Sequence, residues 1–192
     1  MNNRSLFTGK HTHWTAIDPE RDAVTISGWT RSSEFVSHYF NGIFKLFSTV
    51  EVTKRFKECL KKGDESKLDY YFAIRKIEGE DLVGLLHVGR INSSNQTSWL
   101  SVDLQEVGAF ENYGSEVLAM TLRYAFMELS LYRLFTIIPS YNEIEIALFE
   151  KMGFLREVQR RQAIFHAGQY FDALVYAILR PEWKKNQKEE IQ

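Results

Sequence analysis

The sequence predicts a mixed α/β (α+β) fold, one mostly antiparallel central sheet flanked by helices. Three observations predict it. Two capped helical segments stand in the first third of the chain, and three β-rich runs separated by short polar turns follow them. The second half then reads helix, strand, helix, strand, strand, an order that places helices and strands around one sheet.

Asp18-Pro19-Glu20 opens the first helix. It offers a side-chain cap, a proline suited to the first turn, and acids at the positive end of the dipole. That helix should cover about residues 19–29. Residues 33–47 are aromatic and ambiguous, read as a short helix and a loop. Ser48-Thr49-Val50-Glu51 fits a capping box, Val52, Phe56, Cys59 and Leu60 form one stripe, and Gly63 is the expected stop. Tyr70 to Lys76, Leu82 to Arg90 and Ser98 to Leu104 read as an antiparallel meander. A third helix is expected from about Gly114 to Leu129, a strand over Leu134 to Ile138, and a fourth helix from Glu143 to Lys151, stopped by Gly153. Two last strands, about Phe154–Phe165 and Tyr170–Leu179, are joined by His166-Ala167-Gly168-Gln169.

At 192 residues, with 44% hydrophobic and 14% aromatic residues, the chain can bury a real core and is not disordered. One domain over 1–183 is expected, with a polar tail over 184–192 that frays. The net charge of −1 gives no general reason to expect nucleic acid or an anionic membrane as partner. No apolar run reaches roughly 18 residues, and the N-terminus lacks a signal-peptide core, so a cytoplasmic location is expected. Cys59 is the only cysteine, which excludes an internal disulfide and argues against a thiolate metal site. It is read as a core residue rather than a nucleophile. His11, His13, His38 and His166 lack ligand spacing, and no metal is expected.

An ordered set of motifs resembles the GNAT N-acetyltransferase superfamily, in its RimJ/RimL-like branch. The set runs through Leu6-Phe7-Thr8-Gly9-Lys10, Ile17-Asp18-Pro19-Glu20, Phe72-Ala73-Ile74-Arg75 and Leu82-Val83-Gly84. It is densest in Leu122-Arg123-Tyr124-Ala125-Phe126, Phe149-Glu150-Lys151-Met152-Gly153-Phe154, Phe171-Asp172 and Arg180-Pro181-Glu182-Trp183. The resemblance implies splayed fourth and fifth strands, and acetyl-CoA as co-substrate for transfer to a primary amine, on a small molecule or a protein N-terminus, by direct attack in a ternary complex. Its pantetheine would pair with the fourth strand at Val102 to Val107, including Val102, Leu104 and Val107. Its diphosphate would rest on the loop ending in Asn112, Tyr113, Gly114 and Ser115, where free N–H groups and the helix dipole favour an anion. Family members often pair, so a homodimer is open, with Phe35 to Phe47 as an apolar contact, a lid or plain core.

Two departures from the family pattern bear on chemistry. The basic position of the diphosphate loop is Ala109 and its first glycine is Asn112; no Lys or Arg occurs between Arg90 and Arg123, while Asp103, Glu106, Glu111 and Glu116 do. The frequent Tyr proton donor is replaced by Phe149. They leave a second expectation, a catalytically degenerate GNAT-fold module for acyl-CoA binding or regulation.

Asp103 is the first candidate base and Glu106 the reserve. Strand alternation puts Ser101, Asp103 and Gln105 on one face and Val102 and Leu104 on the other. The competing reading of both acids is a solvated strand face. Asn142 either binds pantetheine or a positioned water, or caps the helix from Glu143. His87 reads as a packed core histidine. Arg156, Arg160 and Arg161 read as a solvated strand face rather than a phosphate contact, and Tyr170-Phe171-Asp172 and Trp183 as packing.

Overall fold

The structure is a computed structural model that describes residues 6–32, 35–36, 45–105 and 107–189. Seven strands form one sheet: β1 (Thr12–Thr15), β2 (Tyr70–Lys76), β3 (Leu82–Asn92), β4 (Thr97–Leu104), β5 (Arg133–Pro139), β6 (Leu155–His166) and β7 (Gln169–Leu179). Their order is β1-β2-β3-β4-β5-β7-β6. Every neighbouring pair is antiparallel except β4 and β5, which are parallel. That parallel pair matches only Thr97 to Arg133, Ser98 to Leu134 and Trp99 to Phe135. Beyond Trp99 the two strands part, as the splayed pair was expected to do.

The helices are α1 (Pro19–Trp29), α2 (Thr49–Ser66), α3 (residues 107–128), α4 (Glu143–Lys151) and α5 (Arg180–Glu189). Asp18 Oδ1 accepts from the N–H groups of Glu20 and Arg21, both at 3.1 Å, and so caps α1. Ser48 and Glu51 exchange the two bonds of a capping box at the start of α2. Asn142 caps α4 through the Glu145 N–H at 3.3 Å.

Two sequence expectations are corrected here, and two elements were not foreseen. α2 passes through Gly63 and ends at Ser66, with Lys67 in the left-handed region at φ 56. Gly63 instead lets the helix approach β2, since an added Cβ would lie 2.8 Å from Asp69 O. α3 begins at Val107 rather than Gly114 and takes π-helical turns over Phe110–Gly114 and Tyr124–Glu128. Residues 184–189, read as a polar tail, continue α5, and the Trp183 ring of that helix lies 5.4 Å from the ring of Phe126. Finally, β1 carried no local signal. It pairs with β2, and Glu116 of α3 holds its start through the N–H groups of Lys10, His11 and Thr12 and the Thr12 hydroxyl.

The core lies on both sides of the sheet. Ile74, Leu86, Val88, Leu100, Val102 and Leu104 pack with Val117, Leu118, Leu122 and Phe126 of α3 and Phe149 of α4. Ala73 and Leu85 pack on the other face with Ala23, Ile26 and Trp29 of α1 and Val52 and Phe56 of α2. A fully buried side chain such as Phe56 or Leu100 contributes about 1.5–3 kcal/mol. One charged pair is buried there too: Arg75 Nη2 donates to Asp22 Oδ1 at 2.6 Å, joining β2 to α1.

Candidate active site

The alternation of β4 sets up the site. Leu100, Val102 and Leu104 point into the α3 core, which leaves Ser101 and Asp103 on the α2 face, as their spacing predicted, and Trp99 with them. Those three join Tyr71, Leu85 and His87 from β2 and β3 as the floor of a cleft of about 530 Å³. Lys54, Arg55, Glu58, Cys59 and Lys62 of α2 form its wall. Cys59 is half-buried in that wall, and burial pushes its thiol above the ordinary value. It thus lies beside the core rather than in it, and the raised thiol speaks against a nucleophile.

Asp103 is not on a solvated face. It is 6% exposed, and the Ser101 hydroxyl donates to its Oδ2 at 2.7 Å. Burial raises its carboxyl to about 6, against the lowering effect of the Ser101 bond. Facing it electrostatically is Glu145, in the first turn of α4 and 5% exposed. Burial, and then the charge of Asp103, push Glu145 up to about 8. Asn142 Nδ2 donates to Glu145 Oε2 at 2.6 Å. Near neutral pH this pair of carboxyls therefore shares a proton and carries close to one charge. Asn142 and Glu145 follow the end of β5 and are bonded to each other, and Glu145 is coupled to Asp103, which lies on β4 beyond its last pairing with β5.

His87 also belongs to the cleft rather than to an apolar core. Its Nε2 lies 2.7 Å from Asp69 Oδ1, its ring stacks on Tyr71 at 4.1 Å, and Trp99 meets it edge-on at 5.2 Å. Burial holds its pKa below the ordinary value. Gly89 makes room for this pair, because an added Cβ would run into both His87 Nε2 and Asp69 Oδ1.

The expected cofactor segment is arranged differently from the sequence reading. Asn112, Tyr113 and Gly114 lie in a π-helical turn inside α3, and Ser115 continues it, so none stands in a loop. Gly114 has φ −57 and ψ −44, an ordinary helical geometry. It is buried, and an added Cβ would run into Leu148 of α4. The glycine serves close helix packing. The N–H groups left without intrahelical partners belong instead to the first turn, Val107 to Phe110. β4 ends at Leu104, so Val107 is helical and lies off the strand edge. Phe149 is wholly buried, its ring 4.8 Å from Phe154. Glu106, the reserve base, falls outside the described residues. Glu116 points away to the β1 hairpin, where burial opposes ionisation but the bonds from Thr12, Lys10 and His11 win and lower its pKa. Among the described residues no group of three or more His, Cys, Asp and Glu could hold a metal, and no helix is long and apolar enough to cross a membrane.

The acetyltransferase (GNAT) domain model matches residues 19–175. The chain belongs to the GNAT acetyltransferase family. The SPbeta prophage-derived uncharacterized N-acetyltransferase YokL of Bacillus subtilis is 30% identical over 106 residues, 55% of this chain. The match spans only 60% of that GNAT relative's length. Among solved GNAT structures, a spermidine N-acetyltransferase from Vibrio cholerae in complex with CoA and spermine is similar at TM-score 0.74 and 18% identity, covering 90% of this chain and 98% of that one. A probable acetyltransferase reaches TM-score 0.78 at 18% identity, covering 93% and 100%. At such identities the two structures speak for the GNAT fold alone: a mixed sheet of seven strands with one parallel pair and five flanking helices.

The residues that sequence reasoning missed are Glu145, the Asp69–His87 pair and Arg90. Glu145 had a signal, because Asn142 followed three residues later by an acid is a capping pattern. The others depend on pairing between strands and carry none.

Proposed function

We propose that this GNAT-family chain, in its RimJ/RimL-like branch, is an acetyl-CoA-dependent N-acetyltransferase. It moves an acetyl group to a primary amine, on a small molecule or a protein N-terminus, by direct attack in a ternary complex. The observation that carries the reading is the opening between β4 and β5, with the buried Asp103 on β4 coupled to Glu145, which Asn142 holds by a hydrogen bond. Acetyl-CoA supplies the acetyl group as an activated thioester.

The fit to that co-substrate rests on main-chain groups. The edge of β4 past Trp99 has no strand partner from β5, and it can receive an extended arm. Val102 and Leu104 belong to that edge. The first turn of α3 supplies N–H donors and the dipole for a diphosphate, and Gly108 there has nothing within 4 Å of an added Cβ. Asn112 to Ser115 lie one turn further in. Asp103 takes the proton that the attacking amine must lose, being ionised above about pH 6. Glu145 lies one turn before Phe149 on α4 and gives the opening a proton donor that Phe149 lacks.

A catalytically degenerate acyl-CoA-binding or regulatory module is the second reading. It is favoured by the wholly buried Phe149 and by the absence of Lys and Arg between Arg90 and Arg123. Titration calorimetry with acetyl-CoA and CoA, followed by thiol release across amines and peptide N-termini, separates the two. Micromolar binding with turnover supports the enzyme; binding without turnover on any amine leaves the module; no heat with millimolar cofactor ends both. We also propose a homodimer, to be read by light scattering. Phe35 and Phe47, the ends of its expected contact, are core residues here, and residues 37–44 between them lie outside the described ones.

A further inference from the structure

The cleft has opposite charges at its two ends. Asp103 closes one, and Trp99, four residues back on the same strand face, closes the other. At roughly 3.3 Å per residue these positions stand about 13 Å apart. Arg90 sets its guanidinium over the Trp99 ring, 5.1 Å from the centroid. A break in the ladder puts it there. The pairing of β3 with β4 slips between Gly89 and Asn92, and Arg90 itself has φ 52, left-handed backbone that side-chain-bearing residues avoid. Its N–H is tied to Asp69 Oδ1 at 3.1 Å, the same oxygen that holds His87. Such a bulge re-aims a side chain, and here the side chain is cationic.

Lys62, in the last turns of α2, also lines the cleft. Its neighbour Gly63 approaches Asp69 and Tyr71 at the start of β2, and β2 begins beside the end of β3. Neither Arg90 nor Lys62 makes an ion pair among the described residues. Glu51, further along the α2 wall, is taken up by Lys45 at 2.6 Å. The cleft thus offers an acid to a cation at one end and, at the other, Arg90 to an anion, with Lys62 as a second cation and Glu58 as an acid on the α2 wall.

We propose that the acceptor is a primary amine carrying a carboxylate or phosphate about 10 Å from its nitrogen, the nitrogen at Asp103 and the anion on Arg90 and Lys62. The placement of the nitrogen rests on the transferase reading; the anion site does not. A diamine of equal length would bring its second ammonium against Arg90.

Binding of three probes to the full-length protein tests this by calorimetry: an eight-carbon ω-amino acid, the aminoalkyl phosphate of that length, and the matching diamine. The two anionic probes should bind at least about tenfold more tightly than the diamine. Arg90→Gln should erase that preference by weakening the anionic probes and not the diamine, and Lys62→Gln should reduce it. Whichever anionic probe binds tighter identifies the source of the charge. Equal or tighter diamine binding, a preference untouched by Arg90→Gln in a variant with wild-type circular dichroism, or no binding of any probe would overturn the proposal. An intact preference with no thiol release on any amine would end the transferase reading and leave the anion site standing.

Discussion

Glu145→Gln should flatten the pH dependence of stability. The carboxyl stands at about 8 in the folded protein against an ordinary 4.5, from burial first and the charge of Asp103 second. A pKa raised on folding means that the folded state keeps a proton the unfolded chain releases. Its stabilising effect is therefore complete below about 4.5 and drains away as pH rises to about 8. At about pH 7 the loss is about 2.5 pH units at about 1.4 kcal/mol each, or about 3 kcal/mol. Glutamine cannot ionise, yet it still offers an oxygen to Asn142 Nδ2, which now donates to Glu145 at 2.6 Å. Urea denaturation read by tryptophan fluorescence between about pH 5 and 8 checks this. The variant should match wild type within about 1 kcal/mol at the acid end and exceed it by about 3 kcal/mol near neutrality. In thermal terms that is about 6–12 °C. Parallel curves for variant and wild type across the window would show that Glu145 is not a buried acid next to Asp103.

Asp103→Asn should lower turnover by about 10²–10⁴ while leaving acetyl-CoA affinity unchanged, and the wild-type rate should rise with pH through about 6; unchanged turnover would remove Asp103 as base. Glu116→Ala should cost about 2–4 kcal/mol by stranding three N–H groups and the Thr12 hydroxyl, with early proteolysis before residue 12 as the readout. Because the folded Glu116 pKa is lowered, its contribution is present above the ordinary carboxylate value and is lost as pH falls from there through the lower folded one. Arg75→Met alone should cost about 3–5 kcal/mol by leaving Asp22 buried without its partner, and adding Asp22→Leu should recover much of that loss in chemical denaturation.

The identity and order of most elements were legible in the sequence because their signals are short-range. Asp18-Pro19 and the Ser48 box mark helix starts whose capping bonds reach only two or three residues. Ala167-Gly168, both at positive φ, mark the β6–β7 turn. Alternation along β4 put Ser101 and Asp103 on one face, and that was correct. It was silent on whether the face was wet, since that depends on α2, which the sequence places far from β4. Asp103 and Asn142 were thus found as candidates, while the burial of Asp103 and its coupling to Glu145 were not.

Glycine marks where local reasoning reached its limit. Gly63 and Gly114 looked like helix ends, and both are ordinary helical residues kept small by a neighbour from another element. Arg90 had no signal either, because its bulge exists only against β4.

The sequence by itself determined the helix caps, the strand faces and the order of elements, all matters of hydrogen bonds and periodicity within a few residues. Tertiary structure alone decided where β4 leaves β5, which carboxyls lose their water, where α3 begins and which way Arg90 points. These depend on the close approach of segments distant in the chain, and desolvation and steric exclusion act on neighbours in space.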